Sequence, residues 1–105
     1  MADTNDFIGY VGRPEIHDGV VTSLKCERDQ LRVTVRSHDR QTLVLEFRGV
    51  DAVRQNKAEG MMLYAVAEMT AEPPLRKFVF SNWNEDSDAC LEVLARDFRM
   101  IDDAS

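Results

Sequence analysis

No stretch of this 105-residue chain approaches the roughly 18 consecutive apolar residues that a membrane-spanning helix requires. The opening residues MADTNDF are acidic and polar. A secretory signal would instead carry a basic start and an apolar run, so a cytoplasmic location is expected and a membrane partner is not. Cysteine is scarce. Cys26 and Cys90 fit neither a CxxC pair nor a zinc spacing, and two free thiols are the expectation for an intracellular chain. Positive charge is in deficit, with 13 basic against 19 acidic residues and a net charge of −6. That sign opposes a phosphate backbone and speaks against a nucleic-acid partner. The five glycines compose no phosphate-binding loop, and GYVG at 9–12 lacks the strand-to-helix context such a loop needs. HExxH, GxSxG and Walker patterns are all missing, so the sequence points to no cofactor.

What the chain does contain is period-two alternation. In LRVTVRSHDRQTLVLEFRG, residues 31–49, Leu31, Val33 and Val35 share one face, with Arg32, Thr34 and Arg36 on the other. After the polar break SHDR, Leu43, Leu45 and Phe47 point one way and Thr42, Val44, Glu46 and Arg48 the other. The β-branched enrichment and short polar connection define a hairpin. A lone hairpin is marginal in water, so the rest of the chain must cover its apolar face. A hydrophobic fraction of 44% supplies the material for one domain of this size.

Residues 1–16 mix acids, glycines and Pro14 around Phe7, Ile8, Tyr10 and Val11, and read as a loosely ordered N-terminal segment. Residues 19–27 form the first main strand, with Cys26 in phase with Val20, Thr22 and Leu24 on its expected core face. Together with 31–37 and 41–48 it makes an antiparallel meander. The segment GVDAVRQNKAEG suggests a short helical turn or irregular crossover. Residues 61–69, MMLYAVAEM, suit a strand buried on both sides, although Met62, Val66 and Met69 also share helical spacing. Pro73 and Pro74 stop that run, and LRKFVFSNW at 75–83 is again a strand in the same sheet system, with Phe78 and Phe80 on one face.

The last segment supports two readings. Leu91, Leu94, Phe98 and Ile101 have helical spacing, whereas Leu91, Val93 and Ala95 form one face of a strand that a bend near Asp97 would continue. The fold expected is therefore mainly β: an antiparallel meander of about six strands, curling into a partly closed barrel or strongly curved sheet, with at most a short helix. The alternative is α+β, with a C-terminal helix over 89–101 packed on the sheet.

Two sets of residues are candidates for function. Residues 85–105 hold seven acids against Arg96 and Arg99, so most of the negative charge lies there. Trp83 borders that stretch, and with Glu85, Asp86 and Asp88 it forms a candidate interface: an aromatic anchor beside charges that steer a basic partner. Tyr64 and Arg76 join that surface if the strand register allows. The second set is His17, Asp18 and His38, a base, its orienter and a further imidazole that a small hydrolase or metal-dependent enzyme would use. Adjacent residues on a strand point to opposite faces, which counts against His17 and Asp18 acting together. Asn82, Asn84, Asp86 and Asp88 alternate as calcium ligands do, but Ser87 stands where the loop needs glycine and Val93 where it needs a bidentate glutamate.

The stretches HDGxVxSL at 17–24, LxFRGV at 45–50, EGMxLY at 59–64 and FVFSNW at 78–83 resemble, in content and order, small β-rich bacterial proteins grouped near polymorphic-toxin immunity proteins. The resemblance spans residues 17 to about 100. It implies that His17 and Asp18 open the first long strand, that CLEVLARDFRMI is a final strand, and that the protein binds a partner protein rather than catalysing a reaction. Self-association into a homo-oligomer is a further partner class open to such a scaffold.

Overall fold

The alternating hairpin becomes the middle of a four-stranded antiparallel sheet. The computed structural model describes residues 7–11, 16–37, 39–83 and 88–102. Within them run nine strands: β1 (Phe7–Val11), β2 (Val20–Glu27), β3 (Gln30–Arg36), β4 (Thr42–Arg48), β5 (Ala52–Asn56), β6 (Leu63–Met69), β7 (Arg76–Asn82), β8 (Cys90–Ala95) and β9 (Asp97–Asp102). One sheet has the order β2-β3-β4-β9, the other β1-β6-β7-β8-β5, and each neighbouring pair is antiparallel. Among the described residues no helix is long and apolar enough to cross a membrane.

The hydrophobic residues that alternation assigns to one face fill the space between the sheets. Leu31, Val33, Val35, Leu43, Leu45 and Phe47 from the first sheet are fully buried with Val66, Phe78, Phe80, Leu91 and Val93 from the second. Phe47 is the hub. Its ring centroid lies 5.0 Å from that of Phe78, 6.0 Å from Phe80 and 5.1 Å from Phe98. The tilted geometries are those that aromatic quadrupoles favour, so the cluster adds directional packing to plain burial.

The sheets are joined at two corners. At the first, β4 continues into β5 and β8 into β9, so one long antiparallel ribbon leaves the first sheet and enters the second. Arg48 pairs with Asp97 before the bend and Ala52 with Leu94 after it, which leaves one extra residue on the β4–β5 side. Such a bulge is how a strand changes sheets. Gly49 makes the turn with φ +62°, and the Arg96 amide closes it on the carbonyls of Arg48 and Gly49. At the second corner, Val20 bridges Met62, and the Leu63 amide donates to the Gly19 carbonyl at 2.7 Å.

Several expectations change. Nine strands replace about six, and the ladders do not close into a barrel among the described residues. Of the two readings of the last segment, the strand with a bend near Asp97 holds and the alternative helix over 89–101 does not: β8 covers Cys90–Ala95 and β9 Asp97–Asp102, with the break at Arg96. The helical periodicity of Leu91, Leu94 and Phe98 was coincidental, because the bend after Ala95 resets the phase and lets Phe98 join Phe47. Residues 52–56 are a strand rather than a helical turn, since the bent ribbon continues the β4 pairing onto β8. β7 lies across the core from the central hairpin, in the other sheet, where it pairs with β6 and β8. Phe7–Val11 forms β1 on the edge beside β6, while residues 1–6 and 12–15 of the N-terminal segment lie outside the described residues. Cys26 is exposed. A bulge between Val21 and Ser23 makes Val21 the buried residue, and Cys26 sits at the far end of an edge strand.

Candidate functional site

The second corner assembles the aromatic site. Pairing of Val20 with Met62 places the Asp18 amide on the Leu63 carbonyl at 2.9 Å, which sets His17 beside Tyr64. His17 Nδ1 donates to the Tyr64 carbonyl at 3.0 Å. On the other side, Leu63 pairs with Asn82, and the Trp83 amide donates to the Met62 carbonyl at 3.1 Å. Three rings from three separate segments thereby meet. His17 lies 5.2 Å from Tyr64 and 5.1 Å from Trp83, and Tyr64 lies 5.0 Å from Trp83, all edge to face.

These rings are not core. Trp83 is 43% exposed, Tyr64 42% and the neighbouring Met62 48%. Each ring packs against the other two, and the His17 ring is also tied to the backbone, while the remaining surface faces water. A shallow groove beside them is lined by Trp83, Met62, Lys57, Glu59 and Ala89. Arg76, the other suggested companion of Trp83, is not here. It lies at the opposite end of β7, donating from Nε and Nη2 to Glu68 at 2.9 Å and stacking over Phe78. That pair holds the Glu68 carboxyl below the usual range, chiefly through the hydrogen bond from Arg76.

Of the acidic candidates, Asp88 is exposed and pairs with Lys57 Nζ at 3.3 Å. The Lys57 hydrogen bond and charge draw its carboxyl below the ordinary value. Glu85 and Asp86 lie outside the described residues, as does His38. His17 and Asp18 are not strand neighbours on opposite faces: they sit in the turn before β2, with Asp18 at φ 68° and the two side chains 3.9 Å apart. Both side chains are about half exposed, and among the described residues no nucleophile or third charged group is placed with them. Among the described residues no group of three or more His, Cys, Asp or Glu is placed to hold a metal.

A second cluster escaped the sequence reading. Glu46 points to the outer face of the four-stranded sheet, yet it is only 1% exposed. Three guanidinium groups cover it: Arg32 Nε donates to Oε2 at 3.1 Å, and Arg48 and Arg99 Nε donate to Oε1 at 3.1 and 2.9 Å. Burial alone would raise the Glu46 carboxyl. The hydrogen bonds from Arg99 and Arg32, the charge of Arg99 and the bond from Arg48 outweigh it, and the group stays below the usual carboxylate range. The carboxylate is hidden under one layer of arginines, not deep among core atoms. The available signal was the outward placing of Arg32, Glu46 and Arg48 in the hairpin. The missing part was Arg99, whose strand and register the contested last segment concealed.

Comparison with known proteins finds no matching family model, no matching curated protein and no matching solved structure.

Proposed function

We propose that this chain is a non-enzymatic protein-interaction domain of the cytoplasm, immunity-like or regulatory in role, whose contact surface centres on Trp83, Tyr64 and His17. The observation that carries this reading is the mutual edge-to-face packing of three rings that stay about half exposed. Tryptophan and tyrosine give the largest contact energies at interfaces, and rings already fixed by one another lose little freedom when a partner covers them. Met62 adds an adaptable apolar neighbour. In the sequence Trp83 is followed closely by Glu85, Asp86 and Asp88, so the aromatic anchor is bordered by charges that suit a basic partner. The open placing of His17 and Asp18 favours this role over the hydrolase alternative.

The test is affinity capture with the full chain, followed by binding kinetics on the purified partner. Trp83→Ala should raise the dissociation rate by a factor equivalent to about 2 kcal/mol or more. Neutralising Glu85, Asp86 and Asp88 together should instead lower the association rate and flatten its dependence on salt. A partner that binds the Trp83 variant with unchanged dissociation rate would move the contact surface elsewhere. Sedimentation of the free protein separates self-association through the same rings from binding to a different chain.

A further inference from the structure

We propose that the outer face of the four-stranded sheet, centred on Arg32, Arg48 and Arg99, is a docking surface for an extended acidic segment of a partner protein. It is separate from the aromatic site and does not depend on it. Each of the three arginines spends its Nε–H on Glu46, and among the described residues their Nη groups have no protein partner. The side chains are 56%, 49% and 57% exposed. Three guanidinium groups around one carboxylate leave a surplus of two positive charges; Lys25, opposite Arg32 in the β2–β3 ladder, adds one, while Glu27 and Asp97, on the same face by register, take two away. Arg36 lies on the same face. In a chain of net charge −6 this local excess of cations runs against the composition.

The geometry selects the partner. Glu46 anchors each guanidinium through Nε, so the outward forks are ordered before anything binds. A guanidinium fork pairs two-pronged with a carboxylate, which a lysine cannot do. Arg32 and Arg99 flank β4 on its two sides. Strand spacing of about 4.8 Å puts their backbones ~10 Å apart, the span of three residues in an extended peptide. The adjoining cross-strand row, Thr34–Val44–Ile101, is half-buried and offers an apolar strip beside the cationic one. A sheet face is open, whereas small molecules favour concave sites, so a chain segment fits better than a free metabolite. Nucleic acid would offer more charge, but the acidic remainder of the molecule repels a long polyanion.

The probe is a fluorescein-labelled peptide, (Glu-Ser)6, titrated into the full-length protein at low salt, with (Lys-Ser)6 and a 12-base-pair DNA duplex alongside. We expect saturable binding of the acidic peptide, with amide shift changes in NMR spectra confined to β3, β4 and β9 around Arg32, Glu46 and Arg99. Arg32→Gln with Arg99→Gln should weaken binding at least about tenfold, the range seen when charge-assisted pairs are lost. Arg54→Gln with Lys77→Gln, on the outer face of the other sheet, should change it less than twofold. If the glutamine pair fails to fold, Arg32→Lys with Arg99→Lys keeps the charge over Glu46 and removes the forks, and binding should still weaken. Unchanged affinity in a folded arginine variant overturns the proposal. So do shift changes centred elsewhere, tighter binding of the duplex than of the peptide, or dimerisation through this face in place of peptide binding.

Discussion

Arg99 Nε lies 2.9 Å from Glu46 Oε1 although 53 positions separate the two residues in the chain. The contact exists because β9 pairs with β4, and it couples stability to pH. The arginines keep the Glu46 carboxyl below its ordinary value, as Arg76 does for Glu68. A depressed carboxyl binds fewer protons folded than unfolded, so its contribution is complete above the unfolded value near 4.3 and disappears as pH falls through the folded one. Urea midpoints measured from pH 6 downward should therefore fall on the acid side. Glu46→Gln should flatten that slope and cost about 1–3 kcal/mol at neutral pH, less than a deep ion pair because the guanidinium groups are half in water. A variant with the wild-type acid slope would remove Glu46 from the account.

Phe47 is fully buried and touches three other phenylalanine rings. Phe47→Ala should lose about 3–5 kcal/mol in urea unfolding, with Phe80→Ala in the same range. A loss under about 1 kcal/mol would mean that the space between the sheets is not closed around these rings.

The strands with clean alternation were legible in the sequence to within a residue or two, because burial on one face imposes period two directly. β3, β4 and β7 are of this kind. β5 was not legible: AVRQN has one partly buried side chain and owes its strand state to the pairing with β8. In the last segment the strand reading with a bend near Asp97 holds, and the competing helical spacing arose because the chain changes sheets at Arg96, which shifts the phase of the apolar residues between β8 and β9. Trp83 could be singled out as a candidate from its neighbours in the chain. Its packing against His17 and Tyr64 could not, as it depends on two registers and a bridge between sheets.

Gly49 stands where the ribbon turns its corner. A Cβ there would meet Arg96 side-chain carbons at 2.9–3.0 Å, and φ is +62°. Gly49→Ala should cost about 1–2 kcal/mol from the left-handed backbone alone. Gly9 is the control: its φ is not positive, a Cβ would touch nothing within 4 Å, and Gly9→Ala should be neutral or slightly stabilising. Equal effects at the two positions would contradict the corner geometry.

Both cysteines are free, with Cys26 exposed and Cys90 partly buried. Thiol titration of denatured, unreduced protein should count two. In the native protein, Cys26 should react first with a thiol reagent and Cys90 later, as access governs the rate. Equal native rates would place Cys90 on the surface.

The aromatic trio can be tested without a partner. Tyr64 and Trp83 meet edge to face at 5.0 Å, so their packing should be measurable as a coupling in a double-mutant cycle on folding stability. Aromatic pairs of this geometry contribute about 0.5–1.5 kcal/mol beyond area burial, and half exposure should put this one in the lower part of that range. Tyr64→Ala, Trp83→Ala and the double variant, compared by urea unfolding with a circular dichroism readout, give the value. Trp83 is the single tryptophan of the chain, so its fluorescence adds a second observable. Tyr64→Ala and His17→Ala should each open another side of the indole and increase its quenching by acrylamide. A coupling near zero together with unchanged quenching would mean that the rings move independently. The surface would then have to order itself on binding, and the low entropic cost that makes it a suitable contact site would be lost.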